Sequence, residues 1–270
     1  MQLRRGPSQL PALALLALLA GAEPPRRETI DIGVEDAAAP WSQADGTGYA
    51  NDVARAAFAA VGVDLRMHVL PYARCKQHVV RGELIACVSM SPAPELDGVV
   101  RFSAKPLFVF ACDFFENPAR PLPPRIADFR PGTRVGTVLG YEYPLEMMEA
   151  LRRSGAVLEA TPMEELNLRK LAVGRLDAAI VNRDAVKSPD WVAARAGVTG
   201  KVRSVFRTGG MPAYVGFSLV HRGGAALAAR FDAGHARIIA SGERDRIQRR
   251  WIARNASAGA TRAATRATTR

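Results

Sequence analysis

The chain has 270 residues, 48% of them hydrophobic, and a formal net charge of +11. That is long enough for one large domain or two lobes of ordinary size, and apolar enough to pack a core, which excludes a disordered or collagen-like chain. The basic surplus comes with no recognition motif for nucleic acid, so DNA and RNA are poor partners; anionic solutes or anionic envelope polymers fit it better.

Residues 1–22 read as a signal peptide. Arg4 and Arg5 form a short positive region, Leu10 to Ala20 is apolar but too short to span a bilayer, and Ala20-Gly21-Ala22 fits a small-x-small cleavage site before Glu23. An uncleaved anchor is the alternative. The expectation is a soluble protein exported to the periplasm.

From there the elements follow in order. Thr29–Glu35 alternates apolar and polar residues as a strand does. Ala37–Gly48 is a loop carrying Pro40 and Trp41. Tyr49, Val53, Ala56, Ala57 and Ala60 share one face of a helix stopped by Gly62. Leu65, Met67 and Val69 alternate in a second strand, and Pro71 opens a helix running to Arg81. Leu84–Val88 is a buried strand that ends in Ser89, Ser91, Pro92 and Pro94, where a ladder cannot continue. The order β-α-β-α-β predicts a largely parallel sheet. Polar side chains past the carboxyl end of such a strand are where open α/β sheets place ligands, so this stretch is read as one wall of a cleft.

Pro106–Phe115 is a long apolar run leading into prolines 118, 121, 123 and 124, as a strand leaving a first lobe would. The pattern then restarts. Thr133–Leu139 is a strand, Pro144 opens a helix ending before Gly155, Val157–Ala160 is extended, Thr161 and Glu164 form a capping box for a helix ending at Gly174, and Leu176–Val181 is a buried strand. VVRGELIACV at 79–88 and LAVGRLDAAIV at 171–181 both read helix, glycine, strand, so the halves repeat one plan. Arg203–Phe206 and Tyr214–His221 read as separate strands, followed by helices at Ala225–Ser241 and Glu243–Arg254. Residues 255–270 lack apolar periodicity and read as a disordered basic tail. Of the three cysteines, Cys75 near a helix start and Cys87 on the next strand are the pair an oxidising compartment would join; three buried thiols is the other reading.

Taken together, GYANDVARAAFAAVGV, VVRGELIAC, RFSAKPLF, TRVGTVLGYEYP, KLAVGRLDAAIV and ASGERDRIQRRW, in that order, resemble the family 3 extracellular solute-binding proteins over about residues 29–254. The resemblance implies a type II periplasmic-binding-protein-like fold, with two α/β lobes joined by two hinge strands and closing on a ligand. The expected division is a first lobe over 23–115, a second lobe over 116–210, a return to the first lobe over 211–254, and the tail over 255–270. A monomer serving an ABC permease is implied as well.

The resemblance also assigns residues. Ser89 and Ser91 match the serines that receive the ligand. The arginine that holds an α-carboxylate corresponds to Leu96, the acid that holds an α-ammonium to Asn182, the first-loop aromatic to Ala38 with Trp41 close by, and the Gly-Thr-Thr turn to Gly140-Tyr141-Glu142. A zwitterion buried in a closed cleft needs both charges paired, so a plain α-amino acid is a poor fit. Arg74 is the candidate replacement cation and Glu142 the replacement anion. Backbone N–H groups of Gly140–Tyr143 are a further anion site, and Tyr72, Trp41 and Tyr141 offer stacking surface. The expected ligand is therefore a small polar or anionic solute.

No nucleophile elbow, HExxH helix or phosphate loop is present in the sequence, so an enzyme is not expected and no cofactor or metal is invoked. The alternative function is a non-transport envelope accessory of the same fold that binds a protein partner, for example beside a periplasmic redox enzyme.

Overall fold

Four parallel β-α-β crossovers, two in each half of the chain, organise the computed structural model, which describes residues 27–268, with side chains through 256. The expected signal segment lies outside the described residues. The first half runs β1 (Glu28–Glu35), β2 (Ala37–Ala38), β3 (Ser42–Gln43), α1 (Tyr49–Ala59), β4 (Val63–Leu70), α2 (Tyr72–Val80), β5 (Ala86–Met90), β6 (Val100–Phe102) and β7 (Phe108–Glu116). The second runs β8 (Arg134–Val138), α3 (Leu145–Arg153), β9 (Val157–Thr161), α4 (Glu164–Ala172), β10 (Ala178–Arg183), α5 (Pro189–Ala196) and β11 (Arg203–Ser218), before α6 (Gly224–Ala240) and α7 (Glu243–Thr268).

The sheet order is β4-β1-β5-β11-β7-β10-β8-β9, with β6 also on β11. β4-β1-β5 and β9-β8-β10 are each parallel and repeat one order: the first strand of each set lies between the second and third. The repeat read from the sequence is thus a repeat of topology. β7 and β11 are antiparallel to each other and connect the two sets, which makes the architecture two α/β lobes on a pair of long strands.

One apolar cluster takes in residues of both lobes: Ile32, Val34, Val53, Phe58, Phe217 and Phe231 in the first, where α1 meets α6 and α7, and Val135, Leu151 and Ile180 in the second. Phe115, Leu168, Leu171, Leu176, Val181 and Val192 pack between the second sheet and α4 and α5. Burying a side chain of this size contributes roughly 1.5–3 kcal/mol. The C-terminal helices return to the first lobe, where Trp251 Nε1 donates to Asp52 Oδ2 on α1 at 2.9 Å.

Several expectations are corrected. The strands expected at 203–206 and 214–221 are one continuous β11, Arg203–Ser218: β7 pairs with it from Arg203 to Ala213, with register shifts at Ser204/Phe206 and Thr208/Gly210, and β5 and β6 pair with the remainder. The Thr161–Glu164 capping box does not form. Met163 is the N-cap, Thr161 Oγ1 donates to the Met163 carbonyl, and Glu164 is buried on other business. α5 was not anticipated: Ser188 Oγ caps it by accepting from Trp191 N, Pro189 occupies its first position, and Gly197 ends it. The stretch read as a disordered tail continues α7 to Thr268, in keeping with the high helix propensity of its alanines and arginines.

Cys75 on α2 and Cys87 on β5 are joined in a disulfide, and Cys112 is a free buried thiol. Gly33 of β1 lies under this bridge. A Cβ there would come within 2.3 Å of Cys75 Sγ, so only glycine lets β1 run beneath it. No helix among the described residues is long and apolar enough to cross a membrane.

Candidate functional site

Four strand ends from the two lobes converge. Glu35 closes β1, Ser89 and Ser91 end β5, Tyr141 and Glu142 follow β8, and Asn182 lies near the end of β10. This is the carboxyl edge of two parallel sheets facing each other, the place where α/β folds hold ligands. All six residues line one cavity, completed by Ala38 and Trp41 of the first loop, Tyr72 at the start of α2, and Phe108, Phe110 and Ala213 of the connecting strands. About 30 Å³ of it is open to water-sized molecules, room for roughly two waters.

The remaining space is small because side chains of the second lobe fill it. Glu142 reaches into the first lobe, where Lys76 Nζ donates to its Oε1 at 2.8 Å and Tyr72 Oη donates to its Oε2 at 2.5 Å. Lys76 Nζ also donates to the Gly140 carbonyl at 2.7 Å. Tyr141 Oη donates to Glu35 Oε1 at 2.7 Å, and the Tyr141 ring meets the Tyr72 ring edge-on at 5.2 Å. Gly140 brings the turn this close: it adopts φ 83°, and a Cβ there would lie 2.8 Å from Ala73 Cβ on α2.

Burial sets the electrostatics. It pushes the Glu35 carboxyl up to about 8, against the opposing hydrogen bond from Tyr141 and the charge of Lys187. Glu142 is raised by burial as well, with Lys76 opposing. Glu164 is raised by burial while Lys187 opposes; Lys187 Nζ lies 2.5 Å from Glu164 Oε2, and the Asn182 N–H donates to Glu164 Oε1 at 2.8 Å. The Lys187 ammonium also sits 4.1 Å from the Trp41 ring centroid, a cation–π contact between the lobes.

The structure brings most of the sequence-derived set together: Ser89, Ser91, Trp41, Tyr72, Tyr141, Glu142 and Asn182 all line the cavity. Ser89 takes a left-handed φ of 67°, and its buried Oγ has no hydrogen-bond partner among the described residues. Trp41 is both lining and packing, stacked on Phe108 at 4.5 Å. Asn182 accepts from the Cys112 thiol at 3.3 Å.

Arg74 is not brought to the cavity; it is exposed on the outer face of α2. The α2 cation that reaches the lining residue Glu142 is Lys76, and its position on the helix carries a signal for it. Arg74 is about 200° around the helix from Tyr72, whereas Lys76, four residues on, shares its face. Leu96 is 1% exposed and packs with Tyr72, Cys75, Val79 and Met90, so the position that resembles the family's arginine is apolar core. Glu35, Phe108, Phe110, Lys187 and Glu164 were missed because strand-like apolar runs and isolated charges carry no spacing that reveals who faces whom across lobes.

A cleft lined from two lobes and spanned by two connecting strands defines a two-lobed binding protein. The chain belongs to the bacterial extracellular solute-binding proteins, family 3, whose model matches residues 30–254. Among solved structures, a histidine kinase sensor domain with similarity to periplasmic binding proteins superposes with a TM-score of 0.71 at 22% identity, covering 84% of this chain and 97% of that one. An ancestral arginine-binding protein bound to arginine gives 0.69 at 19% identity, covering 83% and 98%. The arginine-, lysine-, histidine-binding protein ArtJ from Geobacillus stearothermophilus gives 0.69 at 16%, covering 84% and 96%. These likenesses share the fold. No curated protein matches the sequence.

Proposed function

We propose that this chain is a periplasmic solute receptor that captures a small polar or anionic solute between its lobes and delivers it to an ABC permease. The observation that carries the reading is that residues of both lobes line a single cavity at the strand ends. A solute touching both walls favours closure because it gains contacts in the closed form that the open form cannot offer. The family resemblance supports binding over catalysis.

A thermal-shift screen over amino acids, polyamines, carboxylates and aromatic acids tests this. A receptor is stabilised by its solute by about 2.7 kcal/mol at a hundredfold excess over Kd. The accessory reading stays open because Leu96 and Asn182 stand where the resemblance leads one to expect an arginine and an acid; it predicts no shift with any solute and co-purification with a protein partner.

A further inference from the structure

We propose that Lys76 and Tyr72 form a carboxylate-binding position in the cleft, and that Glu142 is a tethered occupant which a solute's carboxylate displaces. This rests on the receptor reading above and names the chemistry of its solute.

The donors are arranged for a carboxylate. Lys76 Nζ and Tyr72 Oη, one helical turn apart on α2, take separate oxygens of the same carboxyl group at 2.8 and 2.5 Å. Charge-assisted pairs of this kind are roughly twice as strong as neutral ones. The carboxyl group they hold comes from the opposite lobe. Glu142 lies on the turn between β8 and α3, so it withdraws whenever the lobes separate, and the two donors stay behind on the first lobe. Among the described residues Lys76 has one other carboxylate neighbour, Glu95 Oε1 at 3.7 Å, which is largely exposed and screened.

The surroundings fit a solute whose carboxylate sits there. Ser89 Oγ is buried at the cavity wall without a partner among the described residues, and Trp41, Phe108 and Phe110 offer an apolar surface for the body of the molecule. Leu96 provides no cation at the position the resemblance would use; Lys76, which stands behind the lining residues Tyr72 and Glu142, is the cation paired with the Glu142 carboxylate. A side chain tethered to the same molecule competes with free solute at an effective concentration in the millimolar range, and lowers apparent affinity by the fraction of time it occupies the donors.

Calorimetric titration tests the assignment. Phenylacetate, succinate and phenylalanine are the probes, with phenylacetamide as the neutral control, against wild type, Glu142→Ala, and Glu142→Ala with Lys76→Met. The expected result is that Glu142→Ala binds at least one of the carboxylates about tenfold or more tightly than wild type. Phenylacetamide shows no such gain, and Lys76→Met cancels it. Preference for phenylalanine over phenylacetate would show that the solute also brings an ammonium; the reverse preference, that it does not. Circular dichroism checks the fold of each variant, and Glu142→Gln, which keeps the volume, replaces Glu142→Ala if that variant does not fold. An unchanged or weaker affinity in the Glu142 variants, or an equal gain for phenylacetamide, overturns the assignment. If a neutral or cationic solute from the thermal-shift screen binds wild type while carboxylates do not bind the variants, only this inference falls. If no solute binds any form, the receptor reading falls with it.

Discussion

Lys187 Nζ lies 2.5 Å from Glu164 Oε2, with the two side chains 1% and 5% exposed, so a complete ion pair is enclosed behind Trp41 of the cavity wall. Removing one partner leaves the other charge buried and unpaired. Lys187→Met is expected to cost about 3–5 kcal/mol of stability, and Lys187→Met with Glu164→Gln to recover most of it, since a neutral pair has no charge to strand. Urea midpoints of the three proteins check this; equal losses in the single and double variants would contradict it.

Gly140 and Ala73 set how near the lobes approach. Gly140→Ala meets Ala73 Cβ at 2.8 Å and also strains a φ of 83°, so it should hold the lobes apart and raise the radius of gyration in small-angle scattering. Gly200→Ala supplies the control. Its φ is 78°, but nothing lies within 4 Å of the added carbon, so it carries the strain without the contact and should leave the scattering unchanged.

Glu35 makes stability depend on pH with a definite sign. Its carboxyl is raised from 4.5 to about 8 in the folded protein, so the fold binds this proton more tightly than the unfolded chain does. The resulting stabilisation is complete below about pH 4.5 and is lost as pH rises through 8. It amounts to at most on the order of 5 kcal/mol. Glu35→Gln should flatten the fall in melting temperature between pH 5 and 8; a slope identical to wild type would show that Glu35 is not the group responsible.

The Cys75–Cys87 bridge closes a short loop, with a sequence separation of 12. Replacing both cysteines by alanine is expected to cost about 2–3 kcal/mol through the freed unfolded chain. Cys112 is buried, and burial pushes its thiol up to about 12, so alkylation of the folded protein should be slow until denaturant is added. Mass spectrometry under non-reducing conditions then finds one modified cysteine; three would mean that the bridge is absent.

Arg74→Ala is expected to leave solute affinity unchanged, because the side chain is exposed and makes no contact with the cavity lining, whereas Lys76 holds the lining Glu142. The pair separates the two cations in a single titration: loss on Lys76→Met and no change on Arg74→Ala. The opposite pattern would return Arg74 to the site.

Local signals carried much of the fold. Alternation in β1 and β4, the apolar face of α1 and the glycines after α2 and α4 act within a few residues, and the structure has those elements where the periodicity places them. The serines ending β5 were legible for the same reason, since a strand closing in Ser and Pro leaves polar groups at a sheet edge. Other features depended on partners far along the chain. The stretches 203–206 and 214–221 read as separate strands, and the pairing of β11 with β7, about a hundred residues earlier, spans the gap between them. Glu164 carried a plausible capping signal, but Lys187 and the Asn182 N–H held it instead.

The sequence by itself determined a twice-repeated β-α-β-α-β plan, the family to which the chain belongs, and the strand ends where a cleft must lie, because periodicity and chain order encode topology. Only the tertiary structure decided that Lys76 rather than Arg74 faces the cleft and that Leu96 is core. It also decided that Glu142 spends its carboxylate on the opposite lobe. Those outcomes follow from how two lobes abut through β7 and β11, a geometry summed over many weak contacts and recorded at no single position.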